Sequence, residues 1–230
     1  RQMCIRDSVR PAFVIGNGES RSAIDLPELK PIGLTVGCNA LYRDFKPDIL
    51  SCCDQRMVAE ARQSFANPIY TRPNWANNHA CTVYPELPYK GTLREDDPWH
   101  WNSGPHAINI ACTSSRAGWI GQRANLIFLI GFDLTEPGQQ KVNNVYKGTK
   151  NYDAEEHKPV DPKYWHYQLA KLFESYPKCS FVWIVPRHIT TPETWKQHKN
   201  FFRETVVNFQ NFIDHCEERI ESLDIFFKTI

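Results

Sequence analysis

The sequence predicts an α/β protein built on a doubly wound, mostly parallel sheet, and three observations carry that prediction. Short apolar runs alternate with helical periodicity over residues 9–190, the order that parallel strands joined by crossover helices require. The most convincing run, Leu126–Ile130 (LIFLI), has no polar position, as a strand buried on both faces demands. Four runs stop at a small or polar residue, where a chain leaves a strand for a turn.

Taken in order, Pro11–Ile15 reads as the first strand, closed by Gly16-Asn17-Gly18. Ile32–Val36 is the second, closed by Gly37-Cys38-Asn39, and Asp48–Cys53 is the third, ending at Asp54. Gln55–Phe65 sets Met57, Val58, Ala61 and Phe65 at helical spacing. Pro68–Thr71 makes a short fourth strand. Residues 72–102 hold Pro73, Pro85, Pro88 and Pro98 with Trp75, Trp99 and Trp101, and read as a long ordered loop, an inserted lid. Ser103-Gly104-Pro105 supplies a cap and a first-turn proline for a helix to Ala117. Leu126–Ile130 ends at Gly131-Phe132-Asp133, and a loop rich in Gly, Asn and Lys runs to about Pro162. Lys163–Tyr176 is helical and Ser180–Val185 is the last strand. Beyond Thr191, Phe201, Val206, Phe209, Phe212 and Ile220 alternate with charges and predict a helical extension over 191–230. Its apolar stripe suits packing on the sheet or a homo-oligomer. The domain itself is expected over residues 9–190.

Composition narrows the function only broadly. A net charge of +1 neither selects nor excludes a polyanionic partner. No apolar run reaches the roughly 18 to 20 residues of a membrane span, so none is expected. Arg1–Ser8 lacks the apolar core of a leader and reads as an extension the fold does not need. The eight cysteines form no C-x-x-C pair and fall largely in apolar runs. They read as buried free thiols, which makes a reducing, cytoplasmic setting the default.

Ligands of open α/β sheets bind beyond the carboxyl ends of the strands. Those ends carry Gly16-Asn17-Gly18-Glu19-Ser20, Cys38-Asn39, Asp54 and Gly131-Phe132-Asp133. Glycines at the first turn allow close backbone approach to a phosphate, with successive amides aimed at the anion. Ser103-Gly104 offers further amides at a helix start. The turn is neither G-x-G-x-x-G, since Arg21 follows, nor a P-loop.

This series resembles two related nucleotide-binding families with a Rossmann-like fold. Gly16-Asn17-Gly18-x-Ser20, Cys38-Asn39, Ser103-Gly104 before a helix, and Ile127–Asp133 look like the motifs of the small bacterial sialyltransferases of glycosyltransferase family 42. The same order is similar to the archaeal pterin pyrophosphokinase-like family. The likeness covers about residues 12 to 190, reaching the run Leu172–Pro186. It implies an inverting, metal-independent transferase that uses a nucleotide sugar as co-substrate and no bound cofactor. By that resemblance the turn of Gly16, Asn17, Gly18 and Ser20, with Asn39, contacts the donor's phosphate and ribose, and Ser103-Gly104 contact its base; Asp133 is a further donor-side candidate. Asp54 falls where the family has a donor-contacting polar residue, usually an amide. Tyr146 and Tyr152 match the two tyrosines that assist the departing phosphate, and His157 is the nearest counterpart of the base. An ungapped alignment reaches Asp161 instead, and His106 is the third candidate.

Metal independence also has a local argument. The acidic cluster nearest to an Asp-x-Asp ligand pair, Glu95-Asp96-Asp97, precedes Pro98 and reads as a solvated turn rather than a ligand pair on a strand end. Trp75, Trp99 and Trp101 suit stacking on a sugar ring or a flipped base. The expected acceptor is therefore a glycan or, for a viral gene, a hydroxylated DNA base. Two other readings stay open: Mg²⁺-dependent pyrophosphoryl transfer to a small alcohol, and a non-catalytic nucleotide-binding or assembly protein.

Overall fold

The computed structural model describes residues 9–114, 123–134, 141–157 and 161–214. Eight parallel strands form one sheet in the order β5-β4-β3-β2-β1-β6-β7-β8. They are β1 Pro11–Ile15, β2 Leu34–Cys38, β3 Ile49–Ser51, β4 Ile69–Thr71, β5 Thr82–Val83, β6 Leu126–Ile130, β7 Ser180–Ile184 and β8 Phe201–Glu204. The helices are α1 Leu29–Ile32, α2 Gln55–Ala61, α3 Pro73–His79, α4 Ser103–Thr113, α5 Lys163–Ser175, α6 Glu193–Lys196 and α7 Val206–Asp214.

The sheet is Rossmann-like and doubly wound, as expected. Side chains of a strand alternate between faces, so Ala12 and Val14 join one core with Ile108 of α4 and Leu169 and Leu172 of α5. Phe13 and Ile15 join the other, with Met57 of α2 and Phe209 of α7. Because β1 is flanked by β2 on one side and β6 on the other, the strand order reverses at the β1/β6 junction. There the connections diverge and open a crevice beyond the strand ends.

Two expectations are corrected. Residues 72–102 are not all loop: Pro73 opens α3 at its first turn, Ala80 closes it at φ 50°, and Thr82–Val83 pair with β4. Residues 201–204, expected as helix, form β8 beside β7. Phe201 and Phe202 lie on opposite faces, packing on the two cores, a period of two rather than 3.6. The apolar stripe of α7 packs on the sheet, one of the two roles expected of it, with the Phe209 ring 6.3 Å from Phe13 and 5.1 Å from Phe128. Residues 215–230 of the expected tail and Arg1–Ser8 lie outside the described residues. Among the described residues no helix is long and apolar enough to cross a membrane. Cys38, Cys52, Cys53, Cys81, Cys112 and Cys179 are free thiols.

Candidate functional site

A cavity of about 380 Å³ opens at the β1/β6 junction, within the size range of small-ligand sites. It is lined by Gly16, Asn17, Gly18, Asn39, Asp54, Ser103, Gly104, Asp133 and Tyr152, which are all the expected donor-side residues except Ser20 and Tyr146. The tips of β1, β2, β3 and β6 and the start of α4 converge here because parallel strands end together at one rim.

The glycines of the first turn answer a packing demand. A β-carbon on residue 16 would lie 2.5 Å from the Gly131 carbonyl oxygen. One on residue 18 would lie 2.5 Å from the Asp133 carboxyl carbon and 2.7 Å from the same carbonyl. The turn also binds its own protein: Gly18 N–H donates to Gly131 O at 2.9 Å and Glu19 N–H to Asn143 Oδ1 at 2.8 Å. The expectation that these amides face an anion is therefore corrected. Ser20 is likewise a partner of Asp133, which accepts its N–H at 2.9 Å and its hydroxyl. Burial lifts the Asp133 carboxyl above the ordinary carboxylate range, against the pull of Ser20 and Asn143.

The amides left over belong to α4. Ser103 and Gly104 are its first residues, so their N–H groups have no acceptor within the helix. Asn102 offers no side-chain cap, and Pro105 carries no N–H to compete. The Ser103 hydroxyl ties the tips of β2 and β3 to this point, donating to Asn39 Oδ1 at 2.7 Å and accepting from Cys53 N–H at 3.0 Å. Asn17 places its side-chain amide against the Tyr152 hydroxyl, 3.0 Å, which also accepts from Ala40 N–H at 3.3 Å. Asn17 Oδ1 is buried without a partner. Such an acceptor costs about 1–3 kcal/mol unless something donates to it.

The remaining expected residues fall elsewhere. Tyr146 is buried, accepting from Arg21 at 2.8 Å and donating to Asp44, so it braces the loop rather than facing the cavity. His106 is buried beneath the rim with its ring stacked on Tyr84, centroids 3.8 Å apart. Burial lowers its pKa to about 3, and it does not line the cavity. His157 and Asp161 are exposed and line no part of it either. His157 Nδ1 stands 3.4 Å from Asp153, which does, while Asp161 accepts from Lys163 N–H at the start of α5. Asp54 caps α2 by accepting from Arg56 N–H at 2.7 Å; burial raises its pKa but the Arg56 bonds outweigh that and lower it. Asp96, expected in a solvated turn, is instead buried and accepts from Tyr167 at 2.8 Å.

Sequence reading missed Asn143, Asn144 and Asp153 from the loop, and Trp165 and Leu169 from α5. The asparagine pair was the available signal, since Asn143 meets the glycine turn. Among the described residues, the charged side chains lining the cavity are Asp54, Asp133 and Asp153, with no lysine or arginine. No group of three histidine, cysteine or acidic residues is placed to hold a metal ion among them.

Fold and site together define a class: a doubly wound α/β protein with a cavity at its switch point. In comparisons with known proteins, no family model, no curated protein and no solved structure matches the chain.

Proposed function

We propose that this chain is a glycosyltransferase whose nucleotide-sugar donor occupies the switch-point cavity. The observation that carries the reading is the convergence of the unpaired α4 amides with Asn17, Asn39 and Tyr152 in one cavity beyond the strand ends. A phosphate at the N-terminus of α4 would meet free N–H donors and the positive end of the helix. The orphaned Asn17 Oδ1 wants a donor, and a ribose hydroxyl supplies one.

Electrostatics narrow the donor. With three carboxylates and no cationic side chain among the described lining residues, each added negative charge on the ligand is unfavourable. A sugar linked through a single phosphate carries one charge, and a diphosphate-linked sugar carries two. The reading therefore favours a nucleoside monophosphate sugar. In the transfer, the acceptor oxygen bonds the anomeric carbon as the bond from that carbon to the phosphate oxygen breaks. The electron pair leaves with the phosphate, and the acceptor's proton is released to solvent.

A thermal-shift series with CMP, CDP, UDP, GDP and ATP tests this, because a ligand at about 100-fold over its Kd adds about 2.7 kcal/mol to the folded state. CMP is expected to raise the melting temperature most, with and without EDTA. No shift from any nucleotide sinks the reading. A shift from ATP alone that needs Mg²⁺ replaces it with pyrophosphoryl transfer.

A further inference from the structure

A second, larger cavity of about 880 Å³ lies between α5 and residues 189–198. Leu134, just past β6, lines both cavities. Helix α5 forms the shared wall: Trp165 and Leu169 face the first cavity, and His166 and Ala170, one position further round, face the second. Each pair is spaced i, i+4, so the two faces run side by side along the helix.

The chemistry of this second cavity is neutral. Lys171 is paired with Glu174 at 2.8 Å, Glu193 with Lys196, and Lys163 with Asp161 at 3.6 Å. Burial holds the His166 imidazole below its ordinary pKa, although Asp161 pulls the other way, so at neutral pH the ring adds no charge. What remains toward the cavity are the hydroxyls of Thr191 and Thr194, the Gln197 amide and two imidazoles. These groups both donate and accept. His198 Nε2 is buried with no partner. Trp183, fully buried against Trp195 at 5.1 Å, forms the packed floor beneath it.

We propose that the second cavity seats the acceptor and that the acceptor is a neutral, hydroxylated sugar or polyol. This rests on reading the first cavity as the donor site. A nucleic acid needs unpaired lysines and arginines to neutralise its phosphates, and the cations here are already paired. An uncharged polyol needs groups that both donate and accept, which this cavity has. Leu134 and α5 line both cavities, so the two lie side by side.

Saturation-transfer NMR on the full chain with glucose, galactose, N-acetylglucosamine, lactose and maltose tests the inference. At least one sugar is expected to show saturation transfer. Thr194→Trp, at an exposed position inside the cavity, is expected to remove that signal and leave the CMP melting shift unchanged. Ala170→Trp provides a second block if the first variant folds poorly. Absence of binding by the whole panel overturns the inference, as does a signal that both variants leave intact. Fluorescence anisotropy with a short hydroxymethylcytosine oligonucleotide gives the competing outcome: binding that Thr194→Trp abolishes overturns a neutral acceptor in favour of DNA. Loss of the CMP shift in the parent protein instead strikes the donor reading, and sugar binding blocked by Thr194→Trp would still stand.

Discussion

The turn after β1 and the start of α4 both line the first cavity, but they use their backbone amides differently. At the turn, Gly18, Glu19 and Ser20 donate to Gly131, Asn143 and Asp133, so the glycines serve to let β1 and β6 cross closely. At α4, the Ser103 and Gly104 amides have no acceptor within the helix, and the serine hydroxyl binds β2 and β3 together. A glycine-rich turn therefore signals crowded backbones as readily as it signals an anion. The helix start, with only one glycine, is where the donors an anion would need are left over.

The largest test of this contrast is Gly18→Ala. The new methyl meets Asp133 and the Gly131 carbonyl, and a loss of about 3 kcal/mol is expected by urea denaturation without any ligand. A neutral result would return the turn to a ligand-binding role. On the α4 side, acid should act through His106. The unfolded chain takes up a proton near the ordinary value of 6.5, whereas the folded chain does so only near about 3. The folded pKa is depressed, so this contribution is complete above the unfolded value and is lost as pH falls toward the folded one. Between about pH 8 and about pH 5 the loss from this one group is about 2 kcal/mol. His106→Phe should flatten that slope, and an unchanged slope would place the titration elsewhere.

Asn17→Ala sharpens the comparison at the cavity itself. It removes both the bond to Tyr152 and the orphaned acceptor, and CMP affinity measured by calorimetry is expected to fall about tenfold, or about 1.4 kcal/mol. The smallest effects are expected from His157→Ala and Asp161→Ala. Both residues sit in exposed ion pairs, so stability should change by less than about 0.5 kcal/mol. Transfer should change by less than about twofold, and a loss of about 10²-fold or more in either variant would restore it as the base.

How much of this was legible in the sequence depends on where each residue's constraint lies. β1 and β6 could be read to the residue, because central strands are apolar throughout and bounded by turn formers. β2 begins two residues later than expected, because Ile32 closes α1 and a β-carbon on residue 33 would lie 2.3 Å from the Pro11 carbonyl oxygen, where no side chain fits. β8 was hidden because Phe-Phe-Arg-Glu has no alternating polarity and is only half buried at the sheet edge. α3 did announce itself, through a proline at its first turn, but the neighbouring prolines concealed it. Strand tips found most of the first cavity, since parallel strands end at one rim. His106 misled because proximity in sequence to Gly104 says nothing about rotation, and the helix turns it inward onto Tyr84. The second cavity was invisible, as it is assembled from α5 and a segment about thirty residues later, and only the fold brings them together.

The central place of β1 carries a cost during synthesis. One edge of β1 is covered by β2 soon after it is made, but the other waits for β6, about 115 residues further along the chain. At roughly 5–20 residues per second, an apolar strand emerging from the ribosome keeps an unpaired edge for on the order of ten seconds. That interval, rather than any weakness of the finished sheet, is when the nascent protein is most exposed to aggregation and most dependent on whatever shields it.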